Sequence, residues 1–437
     1  MNIYIFIEIK RRELSSRLLL ALESAKRGHD VYIGDLTPYL EKELLKPGII
    51  HHKSLTPKIE RINEIKKLKK KYFLFTSQDE ESGHINDDPK EYIETRYGKK
   101  SLELVEKVFT WGKFDLENLT KKYPKLKNKF FNTGNPRVDF WKNENKIFYN
   151  NNLIKFKNYI LVSSNFETIC GYRNLADTID WLRKLGYFKR GWKEEKIIER
   201  AKIEHIIFND FVRLIKKISL IYRKKKIIFR PHPIERVEDW KKIFFKHKNI
   251  LINNSHEIGH WITNSSMVIH NGCTGGLEAA LRNKKVLSYS PKKLNIGHKF
   301  PNKVSQNSED LSKALNLVKK FSKKETIFFS NNKIKEIDTR FQNYFNQDAY
   351  IKIVDEWEKI GNKNISNHNN IKKLKLLGNI LKMKLKLKRY KNLDNKFSDF
   401  SVDEINFLIK NMSRIDRNFA KLKVDFISGK LIRISKI

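Results

Sequence analysis

The sequence predicts an α/β protein made of two Rossmann-like halves facing a cleft, and three observations predict it. Residues 2–33 run as an apolar stretch, a helix-period segment and a second apolar stretch. A second series of the same kind begins near Tyr159. The residue clusters able to carry chemistry directly follow predicted strands, and that edge of a parallel sheet is where ligands bind.

The elements follow in order. Residues 2–8 (NIYIFIE) have strand length and strand composition. Residues 11–27 read as a helix, with Leu14, Leu18, Leu19, Leu22 and Ala25 at helical spacing and Gly28 as the stop. Val31–Ile33 is the next strand, so strand, helix and strand fit a parallel βαβ unit. Short strands are expected at Tyr72–Phe75, Lys107–Thr110 and Lys129–Asn132. The second series has strands at Tyr159–Val162, Lys226–Phe229, Ile250–Ile252, Met267–Ile269 and Lys285–Ser288, with a long helix around 203–223. The patternless stretch 142–158 is a candidate linker, and a helix over 343–360 is expected to close back on the first domain. The domains are therefore expected at 1–150, 151–362 and 363–437. The last is a basic, helical extension ending in a hairpin that turns at Ser428-Gly429.

Composition narrows the function. Hydrophobic residues make up 40% of the 437, enough for folded cores, so a wholly disordered chain is excluded. The formal net charge is +40, much of it Lys in a chain also heavy in Asn and Ile. An AT-rich coding bias spreads basic residues in this way, so no nucleic-acid partner is expected. Anionic substrates or an anionic membrane surface suit the charge better. Two cysteines, Cys170 and Cys273, exclude a disulfide scaffold and point to a reducing, cytoplasmic location. The opening residues lack signal-peptide features and no stretch is long and apolar enough to span a bilayer.

Three clusters carry the chemistry. Asp79, Glu80 and Glu81 stand together after the Tyr72–Phe75 strand. Adjacent carboxylates repel, which suits one of them to act as a general base. Arg230-Pro231-His232-Pro233 follows a second-half strand. The two prolines stiffen the backbone around His232, which with Arg230 can bind a phosphate or protonate a leaving oxygen. Pro233 closes that turn. His270, Asn271, Gly272, Cys273, Thr274, Gly275 and Gly276 join the Met267–Ile269 strand to a helix that contains Glu278. A glycine-rich turn at a helix start presents backbone N–H groups to phosphate. Thr274 adds a hydroxyl donor, and Glu278 can accept from a ribose diol. Cys273 reads as a packed thiol. Ser163-Ser164-Asn165-Phe166 opens the second half and can touch phosphate, and Thr133-Gly134-Asn135-Pro136-Arg137 forms a turn near the cleft. The pattern is neither a P-loop nor GxGxxG, and no metal-ligand spacing occurs among the histidines.

In order, the acidic cluster, Thr110-Trp111-Gly112-Lys113-Phe114, the Thr133–Asp139 motif TGNPR-D, the SNF loop, RPHP and HNGCTGG-E resemble bacterial surface carbohydrate (lipopolysaccharide and capsule) biosynthesis proteins of GT-B fold. These are similar to sialyltransferases and Kdo transferases. The resemblance spans about residues 1–360. It implies a metal-independent glycosyltransferase that uses no cofactor. The donor would be a CMP-activated nonulosonic acid: sialic, legionaminic, pseudaminic or Kdo-like. The acceptor would be a surface glycan or a lipid-linked one. It also implies a catalytic carboxylate among Asp79–Glu81, His232 at the departing CMP phosphate, the turn 272–276 as phosphate cradle and Glu278 at the ribose. Ser82 stands where the family has Gly, which leaves Glu80 and Glu81 both open as the base. Whether the anomeric centre inverts stays open too.

Three alternatives remain on the sequence: a nucleotide-sugar epimerase of similar architecture, a CDP-polyol phosphotransferase, and a non-catalytic nucleotide-sugar-binding scaffold. Residues 371–390 carry eight Lys and Arg and no acid, with leucines between them. Either this segment packs on the body of the protein, or it docks peripherally on the inner face of the cytoplasmic membrane, beside a lipid-linked acceptor.

Overall fold

A computed structural model describes residues 1–80, 89–142, 144–149, 153–166, 174–184, 194–233, 235–291, 299–323, 331–364 and 397–437. The expected site residue Glu81, together with Cys170 and the basic stretch 371–390, lies outside these residues. The chain divides into two compact units. One is built from the chain start to Phe148 and from Ile334 to the end, and the other from Tyr149–Lys333.

The first unit holds an eight-stranded sheet: β1 (Asn2–Phe6), β2 (Asp30–Gly34), β3 (Ile49–His52), β4 (Leu74–Gln78), β5 (Lys107–Thr110), β6 (Phe130–Asn132), β13 (Leu422–Ser428) and β14 (Leu431–Lys436). Their order is β13-β14-β2-β1-β3-β4-β5-β6. The strands β1 to β6 pair parallel with one another. They are short and apolar because both faces are covered. Tyr4, Tyr32, Ile50, Phe75 and Val108 pack with Ile65, Leu68 and Leu102 on one face. The alternating residues Ile3, Ile5, Val31 and Ile33 are fully buried on the other.

Two details of this sheet differ from the sequence expectation. β3 was not expected, because its core pattern, Ile49-Ile50, is followed by two histidines rather than further apolar residues. β4 was expected at Tyr72–Phe75 and lies later. Tyr72 sits at φ +63° in the turn before the strand and is exposed. Ser77 and Gln78 are therefore strand residues, and Asp79 is the first residue beyond the sheet edge.

The helix expected at 343–360 is observed at Ala349–Asn364, within the first unit. The expected hairpin forms, with Gly429 and Lys430 at its turn, and it completes the first sheet. β14 pairs antiparallel with β2, Ile432 opposite Ile33 and Ile434 opposite Val31. Gly34 is required here, because its φ is +143° and a Cβ would lie 2.1 Å from the Lys430 carbonyl oxygen. The helix Val402–Met412 and Phe397, Phe400 and Phe419 are buried in the same unit. Lys10, at the start of the helix Lys10–Lys26, donates to the Asp399 carbonyl at 2.7 Å and pairs with Glu404 at 2.5 Å. Residues 397–437 are thus part of the first unit's core.

The second unit holds six parallel strands in the order β12-β11-β10-β7-β8-β9. They are β7 (Tyr159–Ser163), β8 (Ile227–Arg230), β9 (Ile250–Ile252), β10 (Ser265–His270), β11 (Val286–Tyr289) and β12 (Gln306–Ser308). The long helix Glu194–Ile221 buries Phe208, Phe211, Leu214, Ile215 and Ile218 against Ile160, Val162, Ile227 and Phe229. Its apolar spacing of three and four residues makes that face.

Each sheet has a point where the chain reverses its direction of build-out. In the first unit β2 lies on one side of β1 and β3 on the other. In the second, β8 and β9 extend to one side of β7 and β10 to β12 to the other. Loops that leave adjacent strands in opposite directions open a crevice at the carboxyl ends, so ligand sites are expected between β1 and β3 and between β7 and β10.

Candidate functional sites

The acidic cluster of the first unit is held by a ring of side chains from distant motifs. Asp79 is fully buried, and its Oδ2 accepts from Arg96 Nε at 2.8 Å. Its carbonyl oxygen accepts from the Trp111 indole N–H at 2.6 Å. Arg137 lies over the Trp111 ring, 5.8 Å from its centre, and donates to the Glu80 carbonyl at 3.4 Å. Gln78 donates to the Gly134 carbonyl at 2.6 Å and accepts from Asn135 Nδ2 at 3.1 Å. The TWG and TGNPR motifs therefore act together as the frame of the β4 edge.

Glu80 itself is 2% exposed and its Oε1 pairs with Arg17 Nη2 from the helix Lys10–Lys26. Arg17 is 1% exposed. Its position had no signal in the sequence beyond a cation among the apolar residues Leu14, Leu18 and Ala21 of that helix. Glu80 Oε2 and Arg17 Nε are buried without a hydrogen-bond partner. Unpaired buried polar atoms raise the free energy of a site until a ligand supplies the missing partner.

Asp139, the last residue of the TGNPR-D motif, closes the frame. It accepts from Asn343 Nδ2 at 2.5 Å and from the backbone N–H groups of Ala349 and Tyr350 at 3.1 and 3.2 Å. Burial pushes its pKa up to about 7, with Lys142 opposing.

In the second unit, three strand-end loops are bonded to one another. The Asn165 backbone N–H donates to Asn271 Oδ1 at 2.8 Å, and Asn271 Nδ2 returns a bond to the Asn165 carbonyl at 3.0 Å. Asn165 Nδ2 also donates to the Gly272 carbonyl at 3.1 Å. This exchange joins the loop after β7 to the turn after β10, across the reversal point. The loop after β8 is joined to the same set by Glu235, which sequence reasoning missed. Its buried carboxylate accepts from Ser164 Oγ at 2.6 Å, Phe166 N–H at 2.8 Å and Trp240 Nε1 at 2.8 Å. Its own N–H donates to the His232 carbonyl at 2.9 Å. The available signal was an acid three residues past the histidine of a proline-bracketed turn.

His232 is half-buried between a buried Pro231 and an exposed Pro233. Arg230 donates to the carbonyls of Ser255 (2.6 Å) and His256, so its guanidinium braces the 255–256 turn.

His270 is fully buried beneath the glycine-rich turn. Its Nδ1 accepts from the N–H groups of Gly272 and Cys273 at 3.0 and 3.2 Å. Nε2 therefore carries the proton and donates to Ser305 Oγ at 2.9 Å, while Ser305 donates onward to Pro301 O. Burial drives its pKa down to about 3, so it stays neutral and acts as a template for the turn. Gly276 packs on this ring, where a Cβ would lie 2.3 Å from Cδ2, and Gly275 packs on Ile258. Cys273 caps the helix Thr274–Leu281 by accepting from Gly276 N–H at 3.4 Å, and burial pushes its thiol pKa up. Asn271 and Thr274 remain partly exposed at the turn. Glu278 is buried and pairs with Arg282 at 3.1 Å.

Glu235 gives a pH test of this clamp. Burial raises its pKa from 4.5 to about 7. A raised folded-state pKa contributes stability below the unfolded value, which is lost as pH rises through the folded value. Glu235→Gln is therefore expected to be least stable relative to the wild type below pH 4.5. The deficit should shrink toward pH 7 in thermal unfolding at stepped pH. A constant deficit would show that the carboxyl titrates normally.

Among the described residues, no group of three His, Cys, Asp or Glu is arranged to hold a metal ion, and no helix is long and apolar enough to cross a membrane.

No family model and no curated protein matches the sequence. Solved structures do. A Methanocaldococcus jannaschii UDP-GlcNAc 2-epimerase in complex with UDP-GlcNAc and UDP aligns with a TM-score of 0.51 at 14% identity, over 82% of this chain and 100% of that one. Another UDP-N-acetylglucosamine 2-epimerase aligns with a TM-score of 0.50 at 10% identity, over 83% and 95%. The wall teichoic acid polymerase TagF aligns at 0.45 and 10%, over 84% and 89%. At these identities the likeness is one of fold, and the fold of this chain is GT-B, with two Rossmann-like domains.

Proposed function

We propose that the protein is a nucleotide-sugar-dependent glycosyltransferase that moves a nonulosonic acid from a CMP-activated donor to a glycan or lipid-linked acceptor. The observation that carries the reading is the interlocked set of loops after β7, β8 and β10, centred on the Asn165–Asn271 exchange at the second sheet's reversal point. Such a set, pre-ordered before ligand arrives, suits a phosphate whose charge grows as it leaves. The choice of a CMP-linked sugar rests on the resemblance carried by the RPHP and HNGCTGG-E motifs.

The roles follow from the residues. The acceptor hydroxyl gives its proton to Glu80 Oε2 as its oxygen bonds to the anomeric carbon. The bond from that carbon to the phosphate oxygen of CMP breaks, and CMP leaves with the electron pair. His232, Thr274 and the backbone around Gly272 meet the phosphate. Arg230, Glu235 and His270 hold those groups in place.

A second reading is favoured by one observation: the two structures named above that align at a TM-score of 0.5 or above are UDP-GlcNAc 2-epimerases. Thermal shift with CMP, CDP, UDP and GDP separates the two. Transferase function as proposed requires stabilisation by CMP above the others. Selective stabilisation by UDP, with sugar isomerised and no acceptor needed, would establish the epimerase reading instead.

A further inference from the structure

The first unit has a cavity that shares only Arg96 with the groups described above. It encloses about 340 Å³ at the carboxyl edge of the first sheet. Glu8, just past β1, and Lys53, Ser54 and Thr56, just past β3, form one side. It therefore sits between β1 and β3, where the chain reverses its build-out and a ligand crevice is expected. The other side is the start of the helix Ile59–Lys69, through Lys58, Arg61 and Glu64, with Arg96.

The lining decides the ligand class. Small-molecule pockets are mostly apolar and aromatic. Among the described residues no aromatic or aliphatic side chain lines this one, so none of them stacks on a nucleobase or covers an acyl chain. Three of its four cations are already paired: Lys53 with Glu8, Arg61 with Glu64 and Arg96 with Asp79, while among the described residues Lys58 stands outside an ion pair. At Lys53, Arg61 and Arg96 a phosphate or carboxylate would have to displace a carboxylate from its cation. A sugar hydroxyl, which donates and accepts at once, can bridge each pair without breaking it. Arg61 Nε is a buried donor with no hydrogen-bond partner.

The cavity is also tied to the acidic cluster. Tyr97 bridges Leu55, and the Gly98 N–H donates to the Leu55 carbonyl at 2.8 Å. That contact fixes Arg96 beside Thr56, and Arg96 in turn holds Asp79, the residue before Glu80.

We propose that this cavity is a saccharide-binding subsite that takes a neutral, hydroxyl-rich ring of a glycan, with Arg61 as a principal donor. That the glycan is the acceptor of transfer rests on the function proposed above, whereas the subsite does not.

Saturation-transfer NMR on the full chain tests it, with galactose, glucose, N-acetylglucosamine and lactose as probes and inorganic phosphate as competitor. The wild type should saturate at least one of these sugars, and phosphate should not displace it. Arg61→Ala should weaken that binding about ten-fold, the size of one charge-assisted hydrogen bond. Lys58→Ala, at an exposed position that leaves the fold intact, should weaken it too. No saturation of any probe sugar, displacement by phosphate, or unchanged binding in both variants would overturn the proposal. CMP thermal shift run on the same samples keeps the two readings apart. Loss of sugar binding with the CMP response retained supports the subsite. Absence of a CMP response in the wild type would sink the CMP-transferase reading and leave the sugar result standing.

Discussion

Glu80→Gln is expected to slow transfer by about 10²–10⁴-fold, the contribution of a general base, and to leave the CMP-induced thermal shift unchanged. Two observations make the expectation specific. Glu80 lies two residues beyond β4, and its Oε2 is buried without a partner while Oε1 is held by Arg17. One oxygen is anchored and the other awaits a donor, which is how a base is oriented toward a hydroxyl.

The same ion pair complicates the experiment in a predictable way. Removing one partner of a buried pair costs about 3–5 kcal/mol, because the other charge is left uncompensated. Glu80→Gln alone can thus lose activity by losing stability. The double variant Arg17→Gln/Glu80→Gln removes both charges and should regain much of the wild-type unfolding temperature. If it also regains transfer, Glu80 is a structural carboxylate and the base lies elsewhere, with Glu81 the next to test. If it folds and stays inactive, the base assignment holds.

The periodicity of the sequence showed most of the sheet strands and little of the support for the sites. Val31–Ile33, Met267–Ile269 and Lys107–Thr110 were readable because buried parallel strands are short apolar runs between turns. Ile49–His52 was not, since its two histidines look polar. In the fold His51 is buried, with Nδ1 3.0 Å from Thr76 Oγ1. Asp79, Glu80, His232 and Asn271 were visible as strand-end residues in unusual clusters. Arg17, Glu235 and Asn343 were not, because each acts through a partner far away in sequence. Arg17 reaches Glu80 across 63 positions, Glu235 reaches Ser164 across 71 and Asn343 reaches Asp139 across 204. His270 shows the converse. Its place at the head of a glycine-rich turn suggested a ligand contact, and the structure uses it to shape the turn from beneath.

His232→Ala carries the other large expected effect. The backbone of this turn is held by Pro231, by Pro233 and by the bond from the Glu235 N–H to the His232 carbonyl. None of these depends on the imidazole, so the variant should fold with a near-wild-type unfolding temperature. The ring is placed at the end of β8, next to the strand whose loop carries Asn165. Its proposed task is to meet charge that appears on the phosphate only as the sugar–oxygen bond breaks. An interaction of that kind is stronger in the transition state than in the bound donor. Its loss should then lower kcat by about 10²–10³-fold, as loss of one preorganised donor does elsewhere, with a much smaller change in CMP affinity. Steady-state kinetics and CMP titration on the same preparation read the two numbers. Equal losses in kcat/KM and CMP affinity, with kcat unchanged, would make His232 a ground-state contact. Unchanged kinetics in the folded variant would reduce the RPHP turn to a support for the Glu235 clamp.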